Sequence, residues 1–182
     1  MHPRTKELLQ HLETNRAVLR ESVDAVPHNL RGQCPASNSW SVAEVLEHLS
    51  IVEGRITQLF SGRVAAAKAE GLRTEAEITP VVPTLDAAGF LDRSRRATAP
   101  DAAKPHEQLD ATTAWARLES IRHGLNKAVL AGDGLAIGEL VHAHPVLGSL
   151  NMYQWIVFVG LHEARHSAQI REIAGILSGG AP

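Results

Sequence analysis

Two histidines four residues apart, His162 and His166, lie in the middle of the most apolar helical stretch of this 182-residue chain. At about 100° per residue, Trp155, Val159 and Ile173 fall within about 60° of His162 on the helical wheel, and His166 falls about 40° from it. Both imidazoles therefore face a core, where a polar ring without a partner costs about 1 to 3 kcal/mol. The i, i+4 spacing is also the one at which two imidazoles converge on one metal ion. A pair of core histidines bonded to each other and to water is the plainer alternative. A third ligand must come from another helix, and His48 lies at the inward edge of its own stripe, about 40° from Val52 and about 20° from Leu59. Three protein ligands leave at least one position open, the pattern of a catalytic rather than a structural site. Imidazole ligands suit zinc or nickel better than magnesium.

The string His162-Glu163-Ala164-Arg165-His166 also spells the zinc-protease motif H-E-x-x-H. Its extended form requires Gly at 169 and His at 172, where Gln169 and Glu172 stand, and no strand precedes the helix to hold a peptide. A protease is accordingly set aside. Glu163 is the nearest candidate general base, although it sits about 100° from His162 on the wheel. Arg165 and Gln169 are expected to line the pocket by proximity, and Asn15, a polar residue within the first helix's apolar stripe, to reach it. Glu44 is read first as a helix cap and second as a carboxylate orienting His48 one turn on. His144-Pro145 reads as a turn setting the entry to the last helix. Cys34, with no cation near it in sequence, is read as inert.

These side chains need helices to carry them. Leu8, Leu12, Leu19, Val23 and Val26 recur at helical spacing from Thr5 to Val26, and Pro27 stops the pattern. After an aperiodic loop, Ser41 and Glu44 form a capping box that opens a second helix running to about residue 69. A third, carried by Ala114, Leu118, Ile121 and Leu125, ends near Gly132. The last opens at Asn151, with Gln154 three residues on, and ends at Gly179 and Gly180. Residues 71 to 106 hold four prolines and the arginines at 93, 95 and 96, with short helical turns expected around 85 to 96. No stretch alternates with period two for long enough to predict a sheet. The expected fold is all-α, a four-helix bundle in one domain spanning 1–182. The long irregular crossover between helices two and three lets those two run parallel. It is expected to cover part of the pocket or a dimer contact and to be the most mobile region.

Eighteen basic and twenty acidic residues give a net charge of -2, which argues against a strongly basic nucleic-acid binder. The longest apolar run, Trp155 to Leu161, is seven residues, against the roughly 20 that a membrane helix needs. One cysteine permits no internal disulfide, and the charged N-terminus does not resemble a signal peptide. The chain is expected to be cytoplasmic, with a small-molecule substrate and neither nucleic-acid nor membrane partners.

Trp40-Ser41-x-x-Glu44-x-x-x-His48-Leu49, then His144-Pro145-x-x-Gly148, then His162-x-x-x-His166-x-x-Gln169-Ile170 together resemble the DinB-like superfamily of four-helix metalloproteins, over nearly the whole chain. The resemblance implies a bundle with a long second crossover, often dimeric, and a divalent ion on three histidines, mapping here to His48, His162 and His166. It also implies a choice of activities. Characterised members include S-transferases that use bacillithiol, mycothiol or glutathione and a thiol-dependent isomerase, and others are described as metal-dependent hydrolases. A thiol-dependent S-transferase with a low-molecular-weight thiol as cosubstrate is the expected function. A hydrolase and a non-catalytic metal- or ligand-binding protein are the alternatives.

Overall fold

The structure, a computed structural model, describes residues 1–94 and 98–179. Four long helices build it: α1 (Pro3–Asp24), α2 (Val42–Ala69), α4 (Ala111–Ala131) and α5 (Met152–Leu177), with a short α3 (Ala87–Leu91) in the crossover. Their ends have local causes. Pro3 opens α1 at a position where its missing N–H is no loss, and Pro27 disfavours helix in the residue before it, so α1 ends at Asp24 rather than Val26. Ser41 and Asn151 both form the capping boxes expected of them, with Glu44 and Gln154. Asp110 caps α4 by accepting the N–H groups of Thr112 and Thr113. Each such cap is worth about 1 kcal/mol.

Contacts between helices set their directions. His11, Arg16 and Ser22 of α1 meet Val157, Glu163 and Arg171 of α5 in ascending order, so α1 and α5 run parallel. Glu53 meets Arg122, Gly54 faces Ile121 and Val64 faces Gly132, so α2 and α4 also run parallel, as the long crossover permits. Leu12 with Arg122 and Arg16 with Glu119 make α1 and α4 antiparallel. At its tightest point α1 crosses α5 over Gly160, where a Cβ would collide with the His11 ring and the Asn15 amide.

Two differences from expectation stand out. A small antiparallel hairpin, β1 (Val141–His144) and β2 (Gly148–Asn151), precedes α5. Four-residue strands are too short for a period of two to register, and only the turn residues Pro145 and Gly148, the latter at φ +76°, signalled it. The helical turns anticipated over 85 to 96 contract to α3, with 3-10 turns at Val82–Thr84 and Asp101–Ala103. Residues 95 and 96 lie outside the described residues, as does Gly180.

The core has two apolar parts. Leu8, Leu12, Ile56, Phe60, Leu125, Ile156 and Val159 fill one end, and Leu19, Val45, Leu46, Leu118, Ile170 and Ile173 fill the other. Between them lies a buried charged layer of Arg16, Glu53, Arg122 and Glu163, one residue from each long helix. Arg122 donates to both oxygens of Glu53 (2.7 and 3.1 Å) and pairs with Glu163 at 3.0 Å. Arg16 pairs with Glu163 at 2.7 Å, with Glu53 at 3.2 Å and, toward the surface, with Glu119 at 2.6 Å. Two cations face two buried anions, so the layer is close to neutral and each charge has partners, the condition under which ions are tolerated in a core.

Candidate metal centre

The three histidines meet. α5 carries His162 and His166 one turn apart, and α2 presents His48 to both, with the three ligand nitrogens within 4.8 Å of one another. Nε2 of His162 lies 3.2 Å from Nε2 of His48 and 3.1 Å from Nε2 of His166. For comparison, nitrogens bound tetrahedrally at 2.0 to 2.1 Å from zinc stand about 3.3 to 3.4 Å apart.

The outer nitrogens decide what the inner ones can do. Nδ1 of His48 donates to the carbonyl of Ala103 at 2.7 Å, and Nδ1 of His166 donates to Oε1 of Gln169 at 2.7 Å. Both rings therefore carry their proton on Nδ1 and turn a bare lone pair inward. A proton on Nε2 of His162 could serve only one of those lone pairs, leaving the other facing a nitrogen with nothing between them. A cation satisfies all three at once, so the donor set fits a divalent ion with two of its ligands already oriented.

Electrostatics agree. Burial, and then the neighbouring His48, push His166 down to about 3. Burial, then His166 and His48, push His162 well below the usual imidazole range. Burial lowers His48 as well, against the opposing pull of the Ala103 carbonyl. All three are neutral at pH 7, the state in which imidazole binds metal.

Aromatic rings surround the centre. Phe158 stacks on His162 at 5.3 Å between centroids, Phe90 from α3 packs edge-on against Phe158 at 5.4 Å, and Trp40 lies 5.0 Å from His48. His144, at the end of β1, touches Phe158 at 4.6 Å. Its Nδ1 accepts the N–H groups of Val146 and Leu147, which gives His144-Pro145 the turn-forming role expected of it.

The other expected site residues take varied places. Glu163, the candidate general base, has both oxygens in ion pairs with Arg16 and Arg122 and is 1% exposed. Gln169 reaches the site through His166, as the partner of its ring. Arg165 donates to the carbonyls of Phe90 (2.7 Å) and Asp92 (2.9 Å), and Arg93 grips Glu172 with two bonds, so both cations fasten the crossover across α5 beside the histidines. Asn15 bonds to His11 and packs at Gly160. Glu44 is the cap of α2, and the carbonyl of Ala103, rather than that carboxylate, orients His48.

Sequence reasoning missed the charged layer, although the pattern is plain in hindsight. Arg16 stands four residues after Leu12 and three before Leu19, Arg122 likewise between Leu118 and Leu125, and Glu53 between Leu49 and Ile56. A charge at the centre of an apolar stripe must be buried with a partner.

Fold and site together define a four-helix bundle with a three-histidine centre between its second and last long helices. Residues 11–170 match the DinB superfamily, and the chain belongs to that family. It is 32% identical over 142 residues to the uncharacterized protein YuaE of Bacillus subtilis (strain 168), covering 78% of this chain and 81% of that one. Its fold is similar to the crystal structure of TT2238, a four-helix bundle protein, with a TM-score of 0.61 at 17% identity, over 92% of this chain and 98% of the other. No described helix is long and apolar enough to cross a membrane.

Proposed function

We propose that the chain is a divalent-metal-dependent enzyme that transfers a low-molecular-weight thiol to a small electrophile. The observation that carries this reading is the contrast between three converging imidazoles, two of them with bare lone pairs turned inward, and the neighbouring carboxylate of Glu163, ion-paired through both oxygens with two arginines. A hydrolase needs a base beside the water it activates. A thiol ionises more readily and needs none once its pKa is lowered.

His48, His162 and His166 would hold the ion, with zinc or nickel favoured over magnesium by the all-imidazole set. When bound, it would supply Lewis acidity that lowers the pKa of a thiol. Ala103 and Gln169 keep two of the rings aimed. Phe90, Phe158 and Trp40 offer an apolar wall suited to an aromatic or alkyl electrophile. With a chloronitroarene, a carbon–sulfur bond forms while the carbon–chlorine bond breaks; chloride leaves with the bonding pair and the thiol proton passes to solvent.

The test is thiol-dependent consumption of a chloronitroarene or an epoxide by metal-loaded protein, with bacillithiol, mycothiol and glutathione compared. The reading expects turnover that requires thiol and is abolished in His162→Ala. Turnover of an ester or amide without thiol, lost in Glu163→Gln, would replace it with a hydrolase.

A further inference from the structure

We infer that Glu47 is a positioning residue for the metal centre, a latch that holds the end of the crossover so that its Ala103 carbonyl aims the ring of His48. Glu47 is 0% exposed and precedes His48 on α2. Among the described residues, neither a cap nor an ion pair with arginine or lysine explains it. Its Oε1 instead accepts two successive backbone N–H groups of the crossover, from His106 at 2.6 Å and Glu107 at 2.8 Å. Consecutive residues of one helix thus grip one short segment at two points, Glu47 at 106–107 and His48 at Ala103.

The segment between those points is stiff. Ala103 closes a 3-10 turn, with its N–H on the carbonyl of Pro100 at 2.8 Å and the N–H of Lys104 on Asp101 at 3.1 Å. Pro105 has a fixed φ, and Nδ1 of His106 bonds to the carbonyl of Lys104 at 3.1 Å. Fixing the amides at 106 and 107 therefore fixes the direction of the carbonyl at 103. That carbonyl puts the proton of His48 on Nδ1 and leaves Nε2 bare toward His162 and His166. Without the latch this end of the crossover keeps only the exposed ion pair of Glu107 with Arg117 at 2.6 Å and the more distant fastenings at Arg165 and Arg93, and His48 loses both its preferred tautomer and its ring angle. By linkage, anything that holds Nε2 of His48 in place must in turn hold the crossover.

This inference rests on the reading of the three histidines as a metal centre, and its test separates the two. Zinc affinity is measured by competition with a chromophoric chelator in wild type, Glu47→Ala and Glu47→Gln, each first shown to unfold cooperatively. Loss of an outer partner of a metal-binding histidine typically costs about 10- to 100-fold in affinity, and Glu47→Ala is expected in that range. Because both amides bind one oxygen, glutamine keeps the acceptor, and Glu47→Gln is expected to stay close to wild type. Equal affinity in wild type and Glu47→Ala overturns the latch, as does a Glu47→Gln affinity as low as that of the alanine variant. Two readouts stand apart from the variants' affinity. Nitrogen-15 NMR of metal-free protein should show His48 protonated on Nδ1 in wild type and as a tautomer mixture in Glu47→Ala; no difference overturns the latch even if wild type takes up no zinc, a result that would separately remove the metal centre. In wild type, zinc should slow exchange of the His106 and Glu107 amides, and unchanged exchange rates on zinc loading also overturn it.

Discussion

Removing Arg122 tests whether the charged layer is a balanced set. Its guanidinium makes two bonds to Glu53, an ion pair with Glu163 and a bond from Nη1 to the carbonyl of Leu12 at 3.0 Å. Methionine would keep the apolar stem and delete the charge, leaving two carboxylates, 3% and 1% exposed, to share Arg16. Breaking a buried pair from one side costs about 3 to 5 kcal/mol, because the remaining charge stays buried. With a urea slope of about 2 to 3 kcal/mol per molar, the midpoint of Arg122→Met should fall by about 1 to 2.5 M at pH 7, followed by far-UV circular dichroism. The pH dependence gives a second signature. Glu53 is already raised in the native protein, by burial first and in part by Glu163, against the pull of Arg122 and Arg16. Losing Arg122 raises it further. A carboxyl whose folded pKa exceeds its unfolded one binds a proton in the folded state first, so the penalty is full above the folded pKa and fades as pH falls toward the unfolded value. The deficit of Arg122→Met should therefore shrink as pH is lowered toward the ordinary carboxylate range, and Glu53→Gln added to it should recover stability. A loss under about 1 kcal/mol, or a deficit that ignores pH, would refute the balanced layer.

Three further outcomes are expected. Gly160→Ala should cost about 1 to 3 kcal/mol in thermal or urea unfolding, because the new methyl displaces His11 from the carbonyl of Val157 at the α1–α5 crossing; an unchanged melt would contradict that close approach. Purified wild type should carry about one divalent ion per chain by elemental analysis, since a zinc site takes a single ion, and His48→Ala and His166→Ala should lose it; unchanged content in both would dismiss the site. Metal-free protein should lose stability as pH falls below 6.5, the ordinary imidazole value, because His166 at about 3 and its two depressed neighbours stay neutral in the fold while the unfolded chain takes up protons. At pH 5 the penalty for His166 alone is about 2 kcal/mol, and urea titration of His166→Phe should show a shallower dependence.

The helices and the meeting of the three histidines were legible because each carries a signal in residue type. Ser41 with Glu44 marks a start, Pro27 a stop, and an i, i+4 histidine pair in an apolar stripe has few inexpensive explanations. What escaped notice lies in the backbone or in pairings across long separations. The Ala103 carbonyl that orients His48 belongs to a residue type with no chemistry of its own, 55 positions away. The angle of Glu163 from His162 on one helix does not reveal its role, which is fixed by Arg16, 147 positions away, and Arg122. A wheel shows which way a side chain leaves its helix and says nothing of what waits there.

The charged layer and the three-histidine cluster share α5, which gives a reason why a bundle that could have an apolar core retains four buried ions. Sliding any long helix by one turn, about 5.4 Å, would part its charged residue from the partners on the other helices, whereas leucine against leucine tolerates such a slip. The same register brings His48 opposite His162 and His166. Replacing Arg16, Glu53, Arg122 and Glu163 together with Met and Leu should leave stability unchanged or raise it by about 1 to 4 kcal/mol, because four desolvation costs vanish with the pairs. If the ions serve register rather than stability, the same protein should bind zinc more weakly and show broadened NMR signals for the three imidazoles. A variant that is more stable and binds zinc as tightly as wild type would show that apolar packing alone sets the register, and that the layer has no part in assembling the site.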